Sequence, residues 1–127
     1  MQKYKVTSKK DSLKGRLKYV ATTVIGKGNA ITNMELAKEL SADTSLNITD
    51  VLAIIEQLPE VLSKHLINGE KVHLKGLGFL QASVTSEPMD TPEEVTPSVV
   101  KFSKVVFKAE QTLRNTIAKE MKTQRIE

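Results

Sequence analysis

The chain has 127 residues with 39% hydrophobic but only 4% aromatic side chains and no Trp, which bounds it to one aliphatic core of Leu, Ile and Val with room for an appendage. Its 19 Lys and Arg against 15 Asp and Glu give a net charge of +4, too mild an excess to define a partner by itself. The absence of Cys excludes disulfides and thiolate metal sites, no apolar run reaches transmembrane length, and Met1–Val6 lacks the core of a signal peptide, so a soluble cytoplasmic protein is expected.

Tyr4 and Val6 alternate, as do Leu17, Tyr19 and Ala21 before the β-branched run Thr22–Ile25, and two short strands separated by the polar stretch 7–14 are predicted. Gly26-Lys27-Gly28-Asn29 reads as a turn; it lacks the spacing and the Lys-Ser/Thr ending of a phosphate-binding loop. Thr32 with Glu35 three residues on forms a capping box, opening a helix with Met34, Leu36, Ala37 and Leu40 as its apolar stripe. After a linker at 41–46, Asn47 caps a longer helix, and Asp50 in its first turn complements the helix dipole.

Val51, Ile54, Ile55, Leu58, Leu62 and Leu66 give that second helix a wide apolar face, which Leu52, Val61 and Ile67 broaden beyond what one short domain needs. Pro59 removes a backbone hydrogen bond within it and predicts a kink, and Asn68-Gly69 ends it. A strand-turn-strand follows: Val72, Leu74, Leu80, Ala82 and Val84 face the core, Gly76-Leu77-Gly78 turns, and Lys71, His73 and Lys75 face outward. Residues 86–98 hold three of the four prolines, and read as a projecting loop or arm. A third strand over 99–108 turns Val105 and Phe107 inward and Lys104, Val106 and Lys108 outward, and a last helix is expected over 110–122. Two helices, strands and a closing helix define an α+β domain with helices on one sheet face.

The charge is distributed unevenly. Before Ile31, Lys3, Lys5, Lys9, Lys10, Lys14, Arg16, Lys18 and Lys27 are opposed only by Asp11; from Lys101 to Arg125 seven more cations face only Glu110 and Glu120. Between them, Glu87, Asp90, Glu93 and Glu94 form an acidic stretch. Basic ends around a near-neutral middle point to an anion-binding surface, with ordinary solvated charge as the alternative.

Gly69-Glu70-Lys71-Val72-His73-Leu74, followed by Gly76-Leu77-Gly78-Phe79-Leu80, resembles the strand-turn-strand signature of HU and integration host factor. Phe107-Lys108-Ala109 with Leu113 resembles the Phe-Lys-Pro element that opens that family's last helix. The resemblance covers about residues 31–120, and residues 1–30 are similar to the basic N-terminal segment added in an HU-like subgroup. It implies an intertwined, HU-like homodimer: a helical base, a three-stranded antiparallel sheet forming a saddle over double-stranded DNA, and a β-arm at about 85–98. The implied division is a one- or two-strand extension over 1–30 and an HU-like domain over 31–122. One departure is plain. The family's arm is rich in Arg and Lys with an Arg-Asn-Pro tip, whereas Thr85–Thr96 has neither Lys nor Arg and carries four carboxylates, so no intercalating role passes to Pro88, Pro92 or Pro97.

What the resemblance leaves is a non-sequence-specific, nucleoid-associated DNA-binding protein that contacts the phosphate backbone through Lys71, Lys75, Lys104, Lys108, Arg114 and Lys101, with Lys3 and Lys5 extending the patch. The alternative for Lys3 and Lys5 is the guarding of an added edge strand. The alternative function is an HU-scaffold dimer serving as a structural or protein-interaction module, and a weaker third is binding of RNA or another polyanion. His65 is read as interface packing and His73 as plain surface. No metal site, cofactor, small-molecule substrate or membrane association is expected, and nothing groups Ser, His and Asp into a nucleophile with its base, so no enzymatic activity is expected.

Overall fold

A computed structural model of the chain describes every residue except Ser12, Lys14 and Lys27. The turn expected around Lys27, and the cations Lys14 and Lys27, lie outside the described residues. The chain divides into two compact units, one of residues 31–114 and one that joins 1–30 to 115–127.

The 31–114 unit begins with α1 (Asn33–Ala42) and α2 (Ile48–Ile67). Their starts are set locally. The Thr32 hydroxyl accepts the Glu35 N–H at 3.3 Å, and the Asn47 side-chain oxygen accepts the Asp50 N–H at 2.9 Å, each satisfying a donor with no partner inside the helix. Glu35 returns to the Thr32 hydroxyl at 3.4 Å rather than to its backbone N–H, a variant of the expected capping box. Helix α2 runs unbroken through Pro59. It ends where Gly69, at φ +78°, lets Glu70 N–H bond His65 C=O and Gly69 N–H bond Leu66 C=O, both at 3.0 Å. That is the paired closure that a left-handed glycine permits.

Strands β1 (Val72–Leu74), β2 (Gly78–Thr85) and β3 (Lys101–Ala109) form an antiparallel meander in sequence order, and α2 packs on β1 and β2. Val72, Leu80 and Phe107 lie in register across the sheet, as do Ala82 and Val105, so the expected inner face forms. At Gly78 the sheet closes against β3: a Cβ there would press on the Lys108 carbonyl oxygen and stand 2.8 Å from Phe107 Cε2.

The loop 86–100 corrects one expectation. A β-arm would continue the β2–β3 ladder, but pairing stops at Thr85 and Lys101, and the connection holds only a single 3-10 turn at Pro92–Glu94. The physical reason is local: three prolines cannot donate ladder hydrogen bonds. The loop bonds to itself instead, Thr91 Oγ1 to Glu94 Oε1 at 3.0 Å and Thr96 Oγ1 with Ser98 Oγ at 2.9 Å.

Among the described residues, only Ala37 and Val51 are buried apolar side chains. Helix α2 explains why. One stripe, Val51, Ile55, Leu62 and Leu66, turns toward its own chain, while a second, Ile54, Leu58 and Val61, is open, with Ile54 61% exposed. The sheet's inner face is open as well at Val84, 68% exposed, and Phe102, 64%. Between the end of α2 and this face lies an apolar cleft of about 580 Å³ lined by Leu66, Ile67, Ala82, Val84, Phe102 and Val105.

In the other unit, β4 (Gln2–Lys10) pairs antiparallel with β5 (Leu17–Thr23), and a short C-terminal strand, β6 (Thr123–Arg125), pairs parallel on the far side of β4. The hairpin closes at Asp11, whose N–H bonds Arg16 C=O at 2.8 Å and whose carboxylate accepts the Leu13 N–H at 3.0 Å. The two expected strands form, but the first continues through 7–10 of the stretch expected to separate them, and along Gln2–Val6 it is the centre of a three-stranded sheet and not an edge. Lys3 and Lys5 therefore do not guard an edge strand. Helix α3 (Gln111–Glu120) spans the boundary of the two units and is shorter at both ends than 110–122.

Candidate nucleic-acid interface

The outer face of the β1–β2–β3 sheet carries the cations that the sequence singled out. Phe79 lies opposite both His73 and Lys108, and Ser83 opposite Lys104, so Lys104, Lys108, His73 and Phe79 share one face. Lys71 joins them, its ammonium 4.5 Å from the Phe79 ring centre. On the ring, His73 stacks at 4.2 Å between centroids with planes 11° apart. Phe79 thus acts as a platform that fixes one cation and one imidazole beside Lys108.

Lys101 reaches this face by a route that strict alternation would deny. Counting back from Val105, both Ser103 and Lys101 belong to the inner face and Phe102 to the outer. A register shift between Ser83 and Val84 leaves Ser103 unpaired, so that Phe102 lies opposite Val84 and Lys101 opposite Thr85. The β-bulge places Phe102 in the inward register and Lys101 in the outward one, with Lys104, although Lys101 also borders the apolar cleft at the end of α2.

Lys75 occupies the turn between β1 and β2, and Arg114 lies in the first turns of α3, off the sheet. Lys3 and Lys5 lie on β4 in the other unit. Pairing therefore puts Lys71, Lys101, Lys104 and Lys108 in one register, with Lys75 at its end and Arg114 off the sheet, while Lys3 and Lys5 belong to the other unit.

Glu110 was not anticipated as part of this site. Its carboxylate pairs with His73 Nε2, 37 residues away, and accepts the Gly76 N–H at 2.9 Å, while its own N–H bonds Leu77 C=O at 3.0 Å. The His73 imidazole first, and the Gly76 N–H second, hold the Glu110 carboxyl below its ordinary value of 4.5. The group ties the β1–β2 turn to the start of α3 and removes His73 from plain surface. His65 pairs instead with Glu70, at 3.4 Å.

Among the described residues no group of three or more His, Cys, Asp or Glu could hold a metal ion, and no helix is long and apolar enough to cross a membrane.

A helix pair under an antiparallel meander, with lysines aligned on the sheet's outer face, defines an HU-like α+β domain. Residues 1–125 match the model of the family described as an HU domain fused to wHTH, Ig, or glycine-rich motif, and the chain belongs to that family. Two solved structures share the fold. A protein from Bacteroides vulgatus ATCC 8482, named as a putative bacterial DNA-binding protein, is 18% identical over 98% of this chain and 47% of its own, with a TM-score of 0.55. An HU from Anabaena, solved as a cocrystal with DNA, is 17% identical over 68% of this chain and 97% of its own, with a TM-score of 0.52. The present chain thus spans about half the length of the Bacteroides protein. No curated protein matches.

Proposed function

We propose that the chain is a homodimeric, nucleoid-associated protein that holds duplex DNA on the outer face of the β1–β2–β3 sheet without reading its sequence. The observation that carries this is the alignment of Lys71, Lys101, Lys104 and Lys108 on one face, one of them placed there only by a bulge. Ammonium groups on a sheet neutralise phosphates and release counterions; they make no fixed pattern of donors and acceptors with base edges. Lys75 and Arg114 flank the face, and Lys3 and Lys5 add contacts from the terminal unit. The Anabaena HU in its DNA cocrystal supports the partner. A second copy covers the open stripe of α2 and the apolar cleft, since a chain with this much exposed Ile, Leu, Val and Phe has not finished its core.

Mobility shifts on random duplex at about 50 mM salt test the reading. Micromolar protein is expected to bind, affinity to collapse by about 200 mM salt, and K104E/K108E to weaken binding sharply. Failure of the parent protein to bind at low salt would sink it. The loop 86–100, with Glu87, Asp90, Glu93 and Glu94 and no lysine, favours a second reading. An HU-scaffold interaction module would show no DNA affinity for the charge reversal to remove.

A further inference from the structure

The terminal unit carries a lysine face of its own. The β4–β5 register is uniform from Tyr4↔Thr23 to Lys10↔Leu17, so side chains alternate strictly. Lys3, Lys5, Thr7 and Lys9 share one face with Lys18, Val20 and Thr22, while Tyr4, Val6, Tyr19 and Ala21 take the other.

Three observations separate this face from ordinary solvated charge. Strand β4 is paired on both sides along Gln2–Val6, so Lys3 and Lys5 protect no free edge; Lys9 lies beyond that pairing and Lys18 on the outer strand β5. Lys9 and Lys18 are direct cross-strand partners, a like-charge placement that costs stability unless an anion sits between them. Asp11 relieves part of it, at 3.5 Å from Lys18 Nζ; among the described residues Lys3, Lys5 and Lys9 make no ion pair. Finally, a hollow of about 340 Å³ opens at this pair, lined by Lys9, Lys10, Asp11, Lys18 and Val20.

We infer that this face is a second binding surface for the phosphate backbone of duplex nucleic acid, formed by Lys3, Lys5, Lys9 and Lys18 independently of the β1–β2–β3 sheet. The inference rests on the proposed DNA-binding function and extends it to a separate set of contacts. Lys3 and Lys5 stand about 7 Å apart and Lys3 and Lys9 about 20 Å, a span of about six base-pair rises along the duplex axis. The Thr7 and Thr22 hydroxyls, 2.7 Å apart in the middle of the face, give it a polar floor rather than an apolar one.

The test is the salt dependence of full-chain binding to a labelled random duplex, followed by fluorescence anisotropy. K3Q/K5Q/K9Q/K18Q is expected to reduce the slope of log K against log salt by about 3.6, or 0.9 for each lysine engaged. K3Q/K5Q, which leaves the Lys9–Lys18 pair and Asp11 intact, is expected to reduce it by about 1.8 and serves if the quadruple variant misfolds. R125Q, in register with Tyr4, removes a cation from the opposite face of the same sheet and should leave the slope unchanged; an equal loss per charge there overturns the proposal in favour of net charge alone. An unchanged slope in both lysine variants, with a reduced slope in K71Q/K101Q/K104Q/K108Q, overturns this inference together with the contacts proposed for Lys3 and Lys5, and leaves DNA binding on the β1–β2–β3 face standing. The reverse pattern keeps the inference and removes the β1–β2–β3 face. A parent protein that fails to bind duplex overturns both.

Discussion

Gly78 shows how tightly the lysine-bearing sheet is specified. In G78A the new methyl meets the Lys108 carbonyl oxygen, Phe107 Cε2 at 2.8 Å and Ala109 Cα at 3.0 Å. Two of the three are backbone atoms of a paired strand, and all lie well inside the ~3.5–4.0 Å at which carbon contacts become favourable. Relief requires β2 and β3 to separate by up to about 1 Å at the Gly78↔Ala109 pair, loosening one or two ladder hydrogen bonds at about 1 kcal/mol each on top of about 1–3 kcal/mol of overpacking. The expected cost is about 2–5 kcal/mol, or roughly 10–20 °C in Tm for a chain of this size. Gly76 supplies the control. It has φ +86° but nothing within 4 Å of an added Cβ, so G76A costs only the backbone conformation, about 1 kcal/mol and roughly 4 °C. Calorimetry and urea midpoints at one fixed protein concentration read both variants. If G78A melts no lower than G76A, close packing at Gly78 is not what holds the register that places Phe79 and Lys108 side by side.

Three further outcomes follow from the same geometry. Because the Glu110 carboxyl titrates below its ordinary 4.5, its ionised form stabilises the fold above that value, and the contribution is lost as pH falls through the lower folded-state value. E110Q, which can still accept the Gly76 N–H, should therefore be less stable than the parent at neutral pH, with the gap in urea midpoint closing below about pH 4.5; a gap that persists unchanged to pH 3 refutes the pairing. I54D places a charge on the open stripe of α2, and is expected to shift sedimentation from twice the 14.1 kDa chain mass toward a single chain. A parent that sediments as a monomer at micromolar concentration would refute the covering of that stripe by a second copy. Deleting Ser103 removes the bulge residue while leaving Phe102 opposite Val84 and Lys101 opposite Thr85, so its salt slope in DNA binding should match the parent's. A slope lower by about 0.9 would show that Lys101 no longer contributes.

What the sequence discloses and what it hides divides along the range of the interactions. Thr32, Asn47 and Gly69 are legible because each acts within five residues, on backbone groups whose need for a partner is fixed by the helix itself. The alternation of Val72, Leu74, Leu80 and Ala82 is legible for the same reason. The bulge at Ser103 is not: it is defined by β2, and only its result, a phenylalanine turned inward at the expense of strict alternation, follows hydrophobic logic. Nor does the pairing of His73 with Glu110 leave a local trace, since the two meet only when the β1–β2 turn packs beside the start of α3. Strand β6 is hidden for another reason. Thr123-Gln124-Arg125 has no apolar alternation, and is a strand only because β4 offers it a vacant side.

That vacant side changes the meaning of the basic N-terminus. As a lone added hairpin, residues 2–23 would have exposed both edges, and lysines would be expected simply as protection against pairing with other chains. With β6 in place, β4 becomes interior along Gln2–Val6, and the only physical demand left on its outward positions there is that they tolerate water, which Thr, Gln or Ser would meet. Lys3 and Lys5 exceed that demand, and Lys9 directly opposite Lys18 adds a like-charge pair that guarding an edge does not require. The loop 86–100 differs in the opposite sense: it occupies the place of a DNA-gripping arm, yet four carboxylates would be repelled by a phosphate backbone. On the proposed reading the two departures compensate. Contacts that an HU arm would make by wrapping are replaced by contacts from a second lysine sheet, which hold a duplex through charge alone and supply no wedge to bend it.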